Sequence, residues 1–374
     1  MSNGQNGEHG DYEHNHLGQK LYPRHEWFGQ IAQVLEKNGR AIPVCKSETV
    51  KFCVCACRLA DLRLRLPADS DKHLSYSFVE AEKMVATADR LGIPLMADSS
   101  LPFSWRLPDL ELPLGTKIKE AVLVASGGAV SSAAVCVSHA WSSDADRCGQ
   151  QDPHGFHGMA AFFSMLERRA GGEAGVVSVQ ALTGAEVWAM GKAGGWSLRL
   201  LEAAISCSDE INFGATLEDG RTQDLVGNLD VLAELVKDRV DARQGEEPEG
   251  PLAFVVEHAD GLRTVTLMLN GAVGDFCYAA SVEGGVGDEE GIVATTALRS
   301  PGPNVHYSAC LASNAETMFA TGQPTYDVRR TLLVGGVLEK GLLSLYEGCT
   351  KLETPELSTV KYAPLGEGSQ HTRA

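Results

Sequence analysis

The sequence predicts an α/β protein in which a parallel sheet comes first and an open, mostly antiparallel sheet follows. In the first hundred residues, helical and strand-like segments alternate, and a crossover helix is what joins parallel neighbours. Beyond residue 117, short β-rich runs dominate, and two of them flank an Asp-Gly turn. The 374 residues, 44% of them hydrophobic, suffice for two units with buried cores.

The first unit is predicted from two amphipathic helices that each lead into a short strand. Apolar residues recur on one helical face from Pro23 to Leu35, and a strand from Ala41 to Val44 follows. A second helix begins with the capping box Ser77-Phe78-Val79-Glu80 and ends at Gly92, before a buried strand from Ile93 to Ala97. The residues of this helix that we expect to face the core are Phe78, Ala81, Val85, Ala88 and Leu91.

The second unit is predicted mainly from strands. The predicted strands are Lys117 to Ser126, Val176 to Leu182, Leu252 to His258, Leu262 to Leu269 and Val273 to Val282. Helices are predicted from Gly155 to Arg169 and from Thr331 to Tyr346, and we expect the helices to cover one face of the sheet. Across the Asp260-Gly261 turn, Glu257 and Arg263 are expected to form a cross-strand pair.

Two stretches keep neither a helical nor a strand period, and both are interpreted as loop insertions. They run from Lys46 to Ser70 and from Ser131 to Gln151, and a mistaken gene model is an alternative origin for them. Six of the ten cysteines lie in or beside them, namely Cys45, Cys53, Cys55, Cys57, Cys136 and Cys148. The spacing C-x7-C-x-C-x-C matches neither a zinc knuckle nor an iron-sulfur motif, so we expect reduced thiols and no metal.

Charge and hydropathy exclude several classes of partner. The chain has 32 Lys and Arg against 49 Asp and Glu, a formal charge of −17 that repels nucleic acid and anionic lipid surfaces. No run of about 18 apolar residues and no signal-peptide pattern occurs. We therefore predict a cytoplasmic protein that binds neither nucleic acid nor membranes.

Short motifs along the chain follow an order that is typical of one enzyme family. The segments that carry the resemblance are Asp71-Lys72-His73, Leu91-Gly-Ile-Pro-Leu-Met-Ala97, Gly127-Gly128, Asp152-Pro153-His154-Gly155-Phe156-His157 and Thr321-Gly322-Gln323-Pro324. They are similar to an E-K-P loop, a GxxLMVG strand, a GG pair, a D-x-G-x-H segment and a TGxP segment. With the two insertions set aside, the chain from Gly7 to Pro355 resembles the Gfo/Idh/MocA oxidoreductases.

The resemblance implies a domain organisation. Residues 1–116 correspond to the C-terminal half of a Rossmann-like nucleotide-binding domain with an insertion at 46–70. Residues 117–355 correspond to the family's C-terminal α+β domain with an insertion at 131–151, and residues 356–374 form a tail. The family's G-x-G-x-x-G turn is absent, and Gly7 to Tyr12 falls where the family has its ATPNxxH turn. We therefore expect an incomplete parallel sheet in an N-terminally truncated chain.

The resemblance also implies a chemistry. If the functional protein contains the missing half of the nucleotide-binding domain, NAD or NADP would transfer hydride to or from a sugar, polyol or similar hydroxy or keto compound. The antiparallel sheet would support a homo-oligomer. Lys72 would contact the nicotinamide ribose and orient the substrate hydroxyl, and His157 would be the acid/base group, oriented by Asp152 or His154. Glu8 and His9 would contact the cofactor.

Two other functions remain open from the sequence. Without a dinucleotide fingerprint, the chain could be a catalytically inactive remnant or an interaction protein. A metal-dependent hydrolase or isomerase is the other possibility. Its ligands would come from Asp152, His154, His157, Glu257 and His258.

Overall fold

A computed structural model gives the fold of the chain. It describes residues 44–45, 66–70, 74–75, 77–103, 110, 112–125, 154–208, 251–269, 273, 275–283, 291–297 and 305–364. In this part of the chain, the elements form one small sheet, one large sheet and the helices that cover them.

The small sheet is parallel, as predicted. Its described strands are β1 (Val44–Cys45), β2 (Ala68–Ser70) and β3 (Leu95–Ala97), hydrogen-bonded in that order. Helix α1 (Phe78–Leu91) joins β2 to β3 and ends at Gly92, whose φ of 62° is the left-handed conformation that glycine adopts without strain. This helix and the strand after it were predicted, but the strand before it in the crossover is β2 and not the predicted strand Ala41 to Val44.

Strand β2 is a correction to the predicted insertion from Lys46 to Ser70. Asp69 pairs with Val44 on one side and with Met96 on the other, so Ala68–Ser70 is the middle strand of the described sheet. Three residues with the sequence Ala-Asp-Ser are too short and too polar to show a strand period, and their pairing partners define the strand. The remainder of this insertion, the insertion from Ser131 to Gln151 and five of the six clustered cysteines lie outside the described residues, and of Cys45 only the backbone is described.

The start of α1 also differs from the capping box that the sequence predicts. Ser77 occupies the cap position, but its side chain accepts no hydrogen bond from the helix. The backbone N–H of Phe78 instead donates to Glu339 Oε2 at 2.6 Å. A carboxylate from a distant helix therefore replaces the local cap. On the inner face Met84 is buried and Leu91 is only partly buried.

The large sheet has seven described strands. They are β4 (Lys117–Ala125), β5 (Val176–Thr183), β6 (Leu252–His258), β7 (Arg263–Met268), β8 (Phe276–Glu283), β9 (Ile292–Ala297) and β10 (Leu352–Glu353). The helices of this part of the chain are α2 (His154–Leu166), α3 (Ala185–Lys192), α4 (Leu198–Ile205), α5 (Val305–Thr321) and α6 (Arg329–Tyr346). The strand order is β10-β5-β6-β7-β4-β8-β9, and β4 with β7 is the parallel pair among antiparallel ones. The β6–β7 hairpin is confirmed, with Glu257 opposite Arg263 and their charged groups 3.5 Å apart.

Helices cover both faces of the large sheet, so the expectation of a single covered face is wrong. Alternate residues of β4 join two separate hydrophobic cores, Leu123 on the side of α2 and α6, and Val122 on the side of α3 and α4. The run Ala121 to Ala125 is buried without interruption, which is the pattern of a strand covered on both sides.

Helix α6 connects the two sheets. It packs against α1 of the small sheet and against α2 and β5 of the large sheet, and the Thr331 hydroxyl donates to the Ala97 carbonyl at the end of β3. One hydrophobic core contains residues from both sheets, including Leu95 and Phe254. No helix among the described residues is both long enough and apolar enough to cross a membrane.

Candidate functional site

The carboxyl edge of the small parallel sheet carries a group of buried polar residues. Strands β2 and β3 end side by side, with Ser70 opposite Ala97. Asp98 and Ser99 follow β3 directly and are 1% and 0% exposed. In open α/β sheets, ligands bind outside the carboxyl ends of the strands. This edge is therefore the candidate site.

His157 reaches this edge from the first turn of α2. The helix packs closely on the large sheet because Gly158 has no side chain. A Cβ atom at this position would lie 3.2 Å from the Ala125 side chain of β4. Phe156 and Met159 beside His157 are buried, whereas His157 itself is half-buried. Its Nδ1 lies 2.6 Å from Ser99 Oγ. The helix thus presents the imidazole beside the end of β3.

A buried charge cluster holds the residues beside Ser99. Asp98 Oδ1 accepts the Ser99 N–H at 2.6 Å, and Asp98 Oδ2 accepts Arg330 Nε at 2.9 Å. Arg330 Nη1 also donates to both carboxylate oxygens of Glu167, at 3.2 and 3.3 Å. The rings of Phe103 and Tyr326 are stacked on each other beside the guanidinium, each with its centroid 5.1 Å from Arg330 Cζ. Arg330 therefore joins the end of β3 to the turn that follows α2.

In this cluster, burial and the oppositely charged partners shift the pKa of each group in opposite directions. Burial acts to lower the pKa of Arg330, but Glu167 and Asp98 outweigh it and hold the guanidinium pKa above its ordinary value. For Asp98, burial raises the pKa of the carboxyl and Arg330 opposes that rise. The guanidinium is accordingly a fixed positive charge behind Ser99.

Of the residues that the sequence proposed for catalysis or cofactor binding, His157 has a described side chain. It lies at the carboxyl edge of the parallel sheet. His154 is the first residue of α2, with its side chain outside the described part of the chain. Glu8, His9, Lys72 and Asp152 also lie outside the described residues. Ser70, two residues before Lys72 in the chain, ends β2 at this same edge.

The structure does not bring Glu257 and His258 into a metal site with His157. His258 Nδ1 lies 3.2 Å from Glu173, and its Nε2 lies 3.2 Å from Thr264 Oγ1. Glu257, the preceding strand residue, faces the other side of the sheet and accepts a hydrogen bond from Lys351 at 2.7 Å. Across the described ranges, no group of three or more His, Cys, Asp or Glu residues could hold a metal ion.

Sequence reasoning did not single out Ser99, Asp98 or Arg330. A signal for the first two was present, because polar residues directly after a parallel strand occupy the edge where ligands bind. Arg330 had no such signal, since a charged residue at the start of a helix is usually exposed. Its burial depends on two carboxylates that are distant in the sequence.

No protein-family model and no curated protein matches the chain in sequence. The chain is similar to solved structures of dehydrogenases. For a probable dehydrogenase from Thermotoga maritima, the identity is 11%, the match covers 92% of this chain and 88% of the other, and the TM-score is 0.48. For the myo-inositol 2-dehydrogenase from Lactobacillus plantarum, the identity is 10%, the coverage 92% and 89%, and the TM-score 0.48.

A third similar structure is the WlbA dehydrogenase from Bordetella pertussis in complex with NADH and UDP-GlcNAcA. The identity is 14%, the match covers 87% of this chain and 83% of the other, and the TM-score is 0.44. All three structures are described as dehydrogenases.

Proposed function

We propose that the protein is an NAD(P)-dependent oxidoreductase that transfers hydride to or from a sugar, a polyol or a similar hydroxy or keto compound. The observation that carries the proposal is the 2.6 Å contact between His157 Nδ1 and Ser99 Oγ. It supports an acid/base role because one ring nitrogen is held by a buried hydroxyl. The half-buried ring itself lies at the carboxyl edge of a parallel sheet.

The carboxyl edge fits the reactive end of a nicotinamide cofactor. It combines a half-buried imidazole with buried polar groups, and two parallel strands end there. We propose that Lys72, the second residue after β2, contacts the nicotinamide ribose, and that Glu8 and His9 contact the cofactor elsewhere. When bound, the nicotinamide supplies the hydride acceptor or donor. Because the sequence has no G-x-G-x-x-G turn, cofactor binding is the step at which the proposal is most easily refuted.

The residues of this chain would divide the remaining chemistry between them. In the oxidation direction, His157 takes the proton from the substrate hydroxyl, and in the reduction direction it returns that proton. Lys72 holds the hydroxyl oxygen and stabilises the negative charge that develops on it. Asp152 or His154 would serve as a further orienting group for His157.

Turnover by single variants tests these roles. The His157→Ala and Lys72→Ala variants should each lower the rate by about 10²- to 10⁴-fold, the usual contribution of a positioned acid/base group. Lys340→Ala is the matched control, because Lys340 of α6 is a lysine whose ammonium group is paired with Glu356 at 2.6 Å. Wild-type rates in the His157 and Lys72 variants would show that neither residue has its assigned role.

The second candidate function is a catalytically inactive remnant or interaction protein, and the missing glycine turn favours it. Under that alternative, no nicotinamide cofactor stabilises the fold and no sugar or polyol is turned over.

The enzyme proposal also includes a small-molecule substrate, a cytoplasmic location and a homo-oligomer formed through the antiparallel sheet.

A further inference from the structure

We propose that Ser99 is the positioning residue of His157 and that it holds Nδ1 in its protonated form, so that Nε2 is the nitrogen that exchanges protons. The catalytic use of this arrangement rests on the proposed function. The arrangement of hydrogen bonds at Ser99 supports it independently of any turnover.

The hydrogen-bonding capacity of the Ser99 hydroxyl determines which arrangement persists. A hydroxyl offers one hydrogen and two acceptor positions. The backbone N–H of Leu101 donates to Ser99 Oγ at 3.1 Å and so uses one acceptor position. The other can accept from Nδ1–H of His157, 2.6 Å away.

Only a hydrogen on Nδ1 keeps the hydrogen bond between His157 and Ser99 unchanged when the imidazole gains a proton. A protonated ring carries hydrogen on both nitrogens, so a hydroxyl that donated to Nδ1 would lose its acceptor. If Nδ1–H donates to Ser99 Oγ, the same hydrogen bond exists in the neutral and the protonated ring. A histidine that gains and loses a proton at Nε2 then keeps one orientation throughout.

The surrounding charge cluster fixes Ser99 itself. Asp98 accepts the Ser99 N–H, and Arg330 ties Asp98 to Glu167. His157 lies in the first turn of α2, and Glu167 follows the last residue of that helix. Ser99 therefore contacts the first turn of α2 directly, and Asp98 is connected to the residue after its last turn through Arg330. Ser99 is 0% exposed, so water has little access to its hydroxyl.

The test is a measurement of the His157 tautomer by nitrogen NMR on the full chain with ¹⁵N-labelled histidine. His157→Gln assigns the signal. In the wild type, the neutral ring should carry its hydrogen on Nδ1. The Ser99→Ala variant should shift the ring to the Nε2-protonated tautomer, and Ser99→Thr, which keeps the hydroxyl, should restore the wild-type tautomer.

Ser164→Ala is the control, because Ser164 is a buried serine on α2 whose hydroxyl donates to the Ala161 carbonyl at 2.7 Å. It should leave the His157 signal unchanged. An Nε2-protonated neutral ring in the wild type would overturn the inference. So would an unchanged tautomer in a folded Ser99→Ala variant.

A second readout separates this inference from the proposed function. With a nicotinamide cofactor and a turned-over substrate, Ser99→Ala should lower kcat by about 10- to 100-fold with little change in KM. A lowered rate in His157→Ala together with a normal rate in Ser99→Ala would retain the oxidoreductase and refute the role of Ser99. If no substrate is turned over, the tautomer measurement still decides the inference.

Discussion

Arg169 and Glu173 form a second buried charge cluster, at the opposite end of α2 from His157. Arg169 donates to both oxygens of Glu173, at 3.0 and 3.1 Å, and to Asp260 at 2.7 Å. Burial acts to raise the pKa of Glu173, but His258 and Arg169 outweigh it and hold this pKa well below its ordinary value. The carboxylate is therefore an ionised part of the core.

The first prediction concerns Glu173→Gln. Losing one partner of a buried ion pair should lower the free energy of unfolding by about 3–5 kcal/mol. Because the folded-state pKa of Glu173 is depressed, its contribution is complete above the unfolded pKa of about 4.3 and is lost as the pH falls through the folded value. Denaturant unfolding from pH 7 downwards should therefore show a shallower acid loss in the variant.

Glu186→Gln is the control for this prediction, since Glu186 is an exposed carboxylate on α3. Its unfolding free energy should stay within about 0.5 kcal/mol of the wild type. An equally small change in Glu173→Gln would contradict the stabilising role of the buried pair.

The positions of individual residues were predictable where local spacing constrains them. The Asp-Gly turn fixes the hairpin register, and with it the Glu257–Arg263 pair. The position of His157 in the first turn of a helix followed from its motif. Its contact with Ser99 did not, because the two residues are 58 positions apart and no periodicity links them.

At the scale of single elements, the start of α1 provides the second prediction. Glu339→Ala should destabilise the protein by about 1 kcal/mol, because it removes the acceptor of the Phe78 N–H. Ser77→Ala should have almost no effect, since the Ser77 side chain accepts no hydrogen bond from the helix. Urea midpoints of the two variants measure the difference, and the reverse ranking would restore the local capping box.

The glycines of α6 provide the third prediction. A Cβ atom at Gly341 would clash with the Phe254 ring, whereas at Gly335 it would meet nothing within 4 Å. Gly341→Ala should therefore destabilise the protein by about 1–3 kcal/mol through overpacking. Gly335→Ala should stabilise it by up to about 1 kcal/mol through helix propensity. Equal effects in thermal unfolding would contradict the packing of α6 on β6.

Long periodic elements were predictable from sequence, and short or doubly buried ones were less so. The helix from Phe78 to Leu91 and the hairpin strands lie within a residue or two of their predicted bounds. Strand β2 was missed because three polar residues carry no period. The second covered face was missed although the apolar run Ala121 to Ala125 indicated it.

At the scale of the whole molecule, the core around α6 joins the two sheets. The fourth prediction is that Arg330→Leu lowers the free energy of unfolding by about 3–5 kcal/mol, because it removes the guanidinium that both Asp98 and Glu167 contact. In scanning calorimetry, the wild type and the Arg330→Leu variant should each show one cooperative unfolding transition. Two separate transitions in the wild type would show that the sheets unfold independently.

We propose above all that this chain binds a nicotinamide cofactor without a G-x-G-x-x-G turn. A thermal-shift titration of the wild type with NAD, NADH, NADP and NADPH tests it most directly. At a free concentration of 100 times its dissociation constant, a bound cofactor should add about 2.7 kcal/mol to the stability and raise the melting temperature accordingly. An unchanged melting temperature with all four cofactors at millimolar concentration would contradict the claim.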